Sequence, residues 1–530
     1  MPAVHPDGSK EYVAARAASI SGDHATAAEL YARLATTSSD SDLRQRAISE
    51  AINAGDMPLA LRLIRQVPNA PLSIDSKLLL VADALKRGDN ALAARLLDDT
   101  AAGADLSFWV PLVDAWSRAE RRDLAGAMAV LANVPRGSAF FPFVDEENAL
   151  LLLKFGKTAE AEPYARRAIG KAGAREYRLR LALAAAFAAA GDQARSEVML
   201  EGISGDTTAV RRAIQSGAAK TLIIDTPEEA FSEQLIALAI EMRRSQNGRG
   251  SPVQIAQIAR FAAPGNSSAA VLLGGFLSDR GRLNDALAVL RSVPASDPLK
   301  AEAIDAEARA LIDEKRFDEA LALANAAASR PSATVDDFAR LGDVYGEMNR
   351  HNEAAAAYRQ ALDRSANAET DRVWPLLLLQ ASALESAGRW PEAKAALGAA
   401  IAMAPSEPLI LNFLGYAKLE HGEDLDAAEA LIRKASDLAP DNASITDSLG
   451  WALYKRGRID EAIDILQRAA VGDPTQAEIQ EHLGDALYAA GRHFEARYAW
   501  SAALATADEE VITRLKRKIE SGLTKETAAP

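Results

Sequence analysis

The stretch "SLGWALYKRGRIDEAIDILQRAA", Ser448–Ala470, returns 34 residues later as "HLGDALYAAGRHFEARYAWSAAL", His482–Leu504. A leucine-glycine pair, a second glycine and two alanines keep their offsets while the residues between them change. The alanine of the "(D/E)EA"-like corner extends the pattern along the chain. It falls at Ala27, Ala60, Ala93, Ala127 and Ala161, with Ser196 next, and resumes at Ala286, Ala320, Ala354, Ala393, Ala428, Ala462 and Ala496. The spacings run 33, 33, 34, 34 and 35, then 90, then 34, 34, 39, 35, 34 and 34. A fixed period of this length marks a repeat architecture.

Five residues before the marker stands a glycine or another turn-compatible residue: Gly22, Gly55, Gly88, Gly156, Gly281, Gly388, Gly457 and Gly491, with Asn349 serving once. Seven residues earlier again lies a second small residue, as at Gly274, Gly342, Gly450 and Gly484. Apolar residues recur around these at helical spacing, for example Leu449, Leu453, Ile459, Ile463 and Leu466. Each unit therefore reads as helix, short turn, antiparallel helix, with small residues letting the two backbones approach. Pro298, Pro405, Pro440 and Pro474 follow the second helix, which a proline cannot continue.

Composition agrees. The 530 residues are 49% hydrophobic but only 5% aromatic, with alanine runs such as "LALAAAFAAAG" from Leu181, which favours close-packed helices. A net charge of −14 argues against nucleic acid as a partner, since phosphate binding needs a basic footprint. The absence of cysteine excludes disulfides, thiolate zinc sites and a cysteine nucleophile. No apolar run reaches the roughly 20 residues that span a bilayer, so no direct membrane insertion is expected. Taken as it stands the sequence reads as cytoplasmic, or periplasmic if it is a mature form freed of a signal peptide.

The pattern resembles the tetratricopeptide repeat, with its leucine-glycine pair, central alanines and closing proline. That resemblance implies an all-α fold, an α-solenoid superhelix of stacked antiparallel helix pairs with about 13 recognisable repeats and a degenerate central segment. The expected organisation is a disordered start at 1–9, an N-terminal array at 10–204 and an irregular helical segment at 205–266. A second array follows at 267–507, then a capping helix at 508–523 and a disordered tail at 524–530. Within the 90-residue gap, "DTPEEAFSEQLIALAIEMRR" opens with a capping box of Thr226, Pro227 and Glu229. The gap reads as a drifted repeat or a hinge. The insertion "DRSANAETDRVWP" from Asp363 reads as an elongated turn.

Catalytic patterns are weak. "FGKT" (Phe155–Thr158) echoes a phosphate-binding loop, but the glycine that loop needs upstream of Gly156 is absent, leucine standing there. Among His5, His24, His351, His421, His482 and His493, none has another histidine at i+4. "GISG" and "GNSS" lack the strand-to-helix elbow of a serine hydrolase. No enzyme activity and no cofactor or metal is expected.

The resemblance further implies that positions 2, 5, 9 and 13 of each first helix line a concave groove. In the last seven units these positions hold twelve acidic residues against two basic, in a chain with 74 acidic and 60 basic overall. They include Asp313, Asp343, Glu347, Glu420, Asp447, Glu481 and Asp485, together with Asn412, Tyr416 and Trp451. A groove so lined should take a cationic and apolar segment of a partner protein or peptide. Tyr416 and Trp451, at equivalent positions of neighbouring repeats, would anchor it. Trp390, Tyr358 and Trp500 fall at core positions.

The segment Leu411–Ala469 resembles proteobacterial multi-repeat proteins, among them envelope lipoprotein adaptors of carboxyl-terminal processing proteases. That likeness implies a bacterial scaffold or adaptor working with a protease or an envelope complex. The alternative reading is a regulatory module or cryptic enzyme with a site in the irregular 197–285 region.

Overall fold

The structure, a computed structural model, describes residues 6–37, 40–66, 72–99, 105–203, 207–245, 251–331, 333–365 and 370–529. It is a succession of antiparallel helix pairs, an all-α solenoid architecture. No helix among the described residues is long and apolar enough to cross a membrane.

The link between paired helices explains the recurring turn residue. Gly22, Gly55, Gly88, Gly156, Gly281, Gly388, Gly457 and Gly491 all have φ between +69° and +82°. This left-handed region is open to glycine and costs other residues roughly 1–2 kcal/mol. Gly457 N donates to Tyr454 O at 2.9 Å and Arg458 N to Leu453 O at 3.0 Å, the paired bonds of a Schellman stop. Arg458 then starts the next helix, Ile459–Gly472, so one residue ends one helix and admits the next. Where glycine is missing, Arg122, Lys315 and Asn349 adopt φ of 61°, 57° and 56°.

The second small residue sets the separation within a pair. A Cβ on Gly450 would lie 2.6 Å from Leu466, on Gly415 2.6 Å from Ile432, and on Gly342 2.5 Å from Tyr358. Each neighbour belongs to the antiparallel second helix. Second helices in the later repeats also start alike. Arg389, Arg458 and Arg492 pair with Glu392, Glu461 and Glu495 in the first turn. Arg389 and Arg458 also reach back one repeat, to Asn352 at 3.2 Å and Glu429 at 2.9 Å. The recurring "GR" and "EA" of the later repeats are thus a turn and a ladder rung.

Two compact units divide the chain, Met1–Leu323 and Ala324–Pro530, meeting inside helix Phe317–Ala328. The division differs from arrays at 10–204 and 267–507 for a physical reason. The segment expected to lie irregularly between them folds as a hairpin of Pro227–Ser245 and Pro252–Ala262, packed on the first helices of the N-terminal repeats. Phe231 meets Trp109 edge to face at 5.5 Å, Gln254 donates to Ser49 Oγ at 2.6 Å, and Lys86 lies 4.0 Å over the Phe261 ring. Phe231, Leu235, Ile236 and Ile258 are fully buried. The hairpin is core of the first unit, which a hinge is not. Thr226 and Glu229 do cap it reciprocally.

Three further expectations meet the structure differently. Helix Pro6–Ile20 already includes residues 6–9, while 1–5 lie outside the described residues. The insertion after Asp363 lengthens a helix, Thr370–Ser386 having 17 residues against 13 in Ala443–Lys455, with 366–369 outside the described residues. The tail is not frayed: Thr524 and Thr527 form a hydrogen-bonded turn, and the buried Ala529 donates its N–H to Asp485 at 2.9 Å.

Between hairpin and array lies Glu147, buried, accepting from Trp116 Nε1 at 2.7 Å and Gln234 Nε2 at 2.9 Å. Burial first, then the charge of Glu146, pushes its carboxyl up to about 8. A raised folded-state value means the fold holds the protonated form. This contribution is complete below the ordinary carboxylate range and is lost as pH rises through about 8. The first unit should therefore lose roughly 3 kcal/mol of stability between pH 5.5 and 8.5. Chemical denaturation should show that loss, and Glu147→Gln should flatten it. In thermal unfolding, Lys315→Gly should stabilise by about 1 kcal/mol, while Gly450→Ala should destabilise by about 1–3 kcal/mol through overpacking.

Candidate functional site

In the second unit the first helices are Val335–Glu347, Thr370–Ser386, Pro408–Glu420, Ala443–Lys455 and Ala477–Ala489, followed by Glu509–Ser521. Their sequence faces divide into a closed part and an open part.

The closed part contains four of the expected partner-binding residues. Asp447 Oδ2 accepts a hydrogen bond from His482 Nδ1 at 2.8 Å, both side chains being buried. The Trp451 ring stacks on His482 at 4.0 Å and on Tyr454 at 4.7 Å, and is fully buried. Glu481 is held by Arg514 at 2.8 Å and Lys518 at 2.6 Å. Asp485 accepts from Lys518 at 2.7 Å and from Trp500 Nε1 at 2.9 Å. Asp447, Trp451, Glu481 and Asp485, expected on an open groove, are instead buried and engaged by neighbouring side chains of the chain itself. The reason is the stacking of successive first helices. His482 and Arg514 stand at the sixth residue of their helices, and each reaches back to the acid at the fifth position of the helix before. These carboxylates are bonded to the next first helix along.

The electrostatics fit this role. Burial pushes the Glu481 carboxyl up, but Arg514 and Lys518 outweigh it and the net is downward. For Asp485 burial wins and the net is upward. Burial lowers the His482 imidazole, yet Asp447, with Glu478 and Asp485, carries the net shift upward. Asp447 Oδ1 and His482 Nε2 remain buried without a hydrogen-bond partner.

The open part lies on the helices up to Glu420. Glu347 and Glu420 are exposed, and Asn412 and Tyr416 are half-buried. Asp343 is exposed but receives a hydrogen bond from Tyr358 Oη at 2.7 Å. Glu420 lies 3.7 Å from Lys455, whose ammonium sits 5.1 Å from the Trp451 ring centre. Burial, followed by the charges of Glu478, Glu420 and Asp447, raises the Tyr416 hydroxyl well above its ordinary value. Tyr416 is thus an aromatic ring among carboxylates. Asp313 ends helix Lys300–Asp313 in the first unit and is exposed there, so it does not belong to this face.

Two apolar residues of the face escaped the sequence reading: Leu379 at 40% and Leu409 at 47% exposure. Leu409 sat at a groove position but was overlooked beside the charges. Leu379 stands at the sixth position, outside the four positions counted. Leucine at places where an adjoining repeat carries Ser444 or Arg340 was the available signal. No cluster of metal-ligating side chains occurs among the described residues.

The division predicts different fates for the two aromatics. Trp451→Ala should cost about 3–5 kcal/mol as a core truncation, lowering the second unit's unfolding midpoint. Tyr416→Ala truncates a half-buried ring and should cost less, about 1–2 kcal/mol, as followed by denaturant titration.

Comparison with known proteins agrees with the repeat geometry. Tetratricopeptide repeat models match residues 338–367, 378–443 and 450–491. A TPR repeat-containing protein of Pseudomonas aeruginosa is 38% identical over 69 residues, 13% of this chain and 12% of that protein. The cellulose synthase operon protein C of Pseudomonas fluorescens is 27% identical over 252 residues, 44% of this chain and 19% of that protein. The chain thus matches only a small part of the length of these relatives. Among solved structures, yeast Tom70 aligns with a TM-score of 0.41 at 12% identity, covering 97% of this chain and 95% of that one. The Cut9-Hcn1 complex gives 0.39 at 14%, covering 98% and 97%. Between residues 338 and 491, then, the chain carries tetratricopeptide repeats, and the left-handed turns and glycine contacts described above recur in them.

Proposed function

We propose that the chain is a non-catalytic scaffold or adaptor that binds a partner protein or peptide on the first-helix face between Val335 and Glu420. The observation that carries this reading is Tyr416, a half-buried ring on which Glu478, Glu420 and Asp447 act. Exposed Leu379 and Leu409 on the same set of first helices add apolar surface. An aromatic among carboxylates suits a lysine or arginine flanked by apolar residues, through charge and cation–π attraction. The corresponding face of the first unit is packed by its own hairpin, which supports a site in the second unit. The likeness to envelope adaptors makes a protease or envelope complex the first partner to try. The alternative, a regulatory site in the irregular 197–285 region, gains support from a cavity bordered by Arg178, Lys220 and Glu229.

The test is selection of a random peptide library on the immobilised full chain. Enriched sequences should carry lysine or arginine next to leucine, isoleucine or phenylalanine. Tyr416→Ala and Glu420→Gln should each weaken binding of a selected peptide about tenfold, the worth of one good contact. Enrichment of acidic peptides, or selection unchanged by both substitutions, would overturn the reading.

A further inference from the structure

In the first unit a cavity of about 170 Å³ lies where the helix Glu176–Ala189, the turn Lys220–Leu222, the start of Pro227–Ser245 and the loop before Ser267–Ser278 come together. It is bordered by two bases, Arg178 and Lys220, and by two acids, Glu229 and Glu233. Which of these groups is already engaged decides the ligand.

Both acids are engaged. Glu233 accepts from Arg178 Nη2 at 2.7 Å on each oxygen, and from Asn266 Nδ2 at 2.7 Å. Glu229 accepts from the backbone N–H of Asp225 at 2.8 Å and of Thr226 at 3.1 Å, closing the capping box. The remaining capacity is mostly donor capacity. Arg178 Nε and Thr221 Oγ1 are buried and have no partner, although buried donors in folded proteins are almost always satisfied. Lys220 is exposed at the rim of the cavity, and no ion pair to it is seen among the described residues. Between these groups the wall is apolar, formed by Ala182, Leu222 and Ile223.

We propose that this cavity binds a small aliphatic monocarboxylate, its carboxylate meeting Lys220, Thr221 and Arg178 and its alkyl part lying on Ala182, Leu222 and Ile223. One negative charge suits the site better than two, because Glu229 and Glu233 stand close and repel a dianion such as phosphate. A branched alkyl chain matches the room and the wall, and a neutral amide of the same shape brings no charge to Lys220.

Isothermal titration of the full chain with isovalerate, isovaleramide and inorganic phosphate tests this. Isovalerate should saturate a single site and raise the melting temperature of the first unit, while isovaleramide and phosphate should do neither. Lys220→Met and Thr221→Val should each weaken isovalerate about tenfold. Thr221→Val also removes a buried hydroxyl that has no partner, so without ligand its melting temperature should be unchanged or higher, which separates lost binding from lost folding. Isovaleramide binding as tightly as isovalerate, phosphate binding more tightly, or no saturation by isovalerate would each overturn the proposal.

Discussion

A single missing methyl group governs how closely the two helices of a repeat can approach. At the eighth residue of the first helix, the space a Cβ would fill is already taken by Leu466, Ile432 or Tyr358 of the second. Close approach lets alanine serve as core, because a short side chain reaches its neighbour only when the backbones are near. Fully buried Ala428, Ala462 and Ala496 do this at the corner of successive repeats. The low aromatic content follows from the same geometry. The turn is bound to it too, since only a left-handed residue brings the chain back within one or two positions.

Between repeats the bond is of another kind. The fifth residue of one first helix carries an acid, and the sixth residue of the next carries its base: Asp447 with His482, Glu481 with Arg514. Buried ion pairs add little net stability over apolar packing, but an unmatched charge there is costly. Such a pair therefore favours one register of stacking over others. The Trp451 ring stacked on His482 acts with it, filling the space beside the pair.

The period, the turn and the pairing of helices were legible because each follows from a local rule that one residue type satisfies. Gly457 must be left-handed and Gly450 must be small, whatever surrounds them. The proposed face was only partly legible. Glu347 and Glu420 are exposed and Tyr416 is half-buried, whereas Asp447, Trp451, Glu481 and Asp485, also at groove positions, are buried. Position within a helix does not say how deeply the next helix overlaps it. That depends on what the neighbour presents, here His482 and the Arg514–Lys518 pair. The hairpin Pro227–Ala262 was legible as helices but not by its place, since its apolar faces match the first array only in three dimensions. Arg178, Lys220 and Thr221 come together through that same placement, and nothing in their spacing announces it.

The hairpin also changes what kind of object the first unit is. In a stack where each repeat touches only its neighbours, stability is a sum of local terms and unfolding can begin at an end and travel. Gln254 bonded to Ser49 and Arg282 bonded to Asn53 O join residues more than 200 positions apart, closing long loops that no neighbour-to-neighbour stack contains. Such contacts form late and slowly, because loop closure must come first. The first unit is then bound to fold as one cooperative block, complete only after the hairpin has been made. The second unit, held by adjacent contacts, can fray or grow repeat by repeat. One chain thus joins two regimes of folding, one all-or-none and one graded.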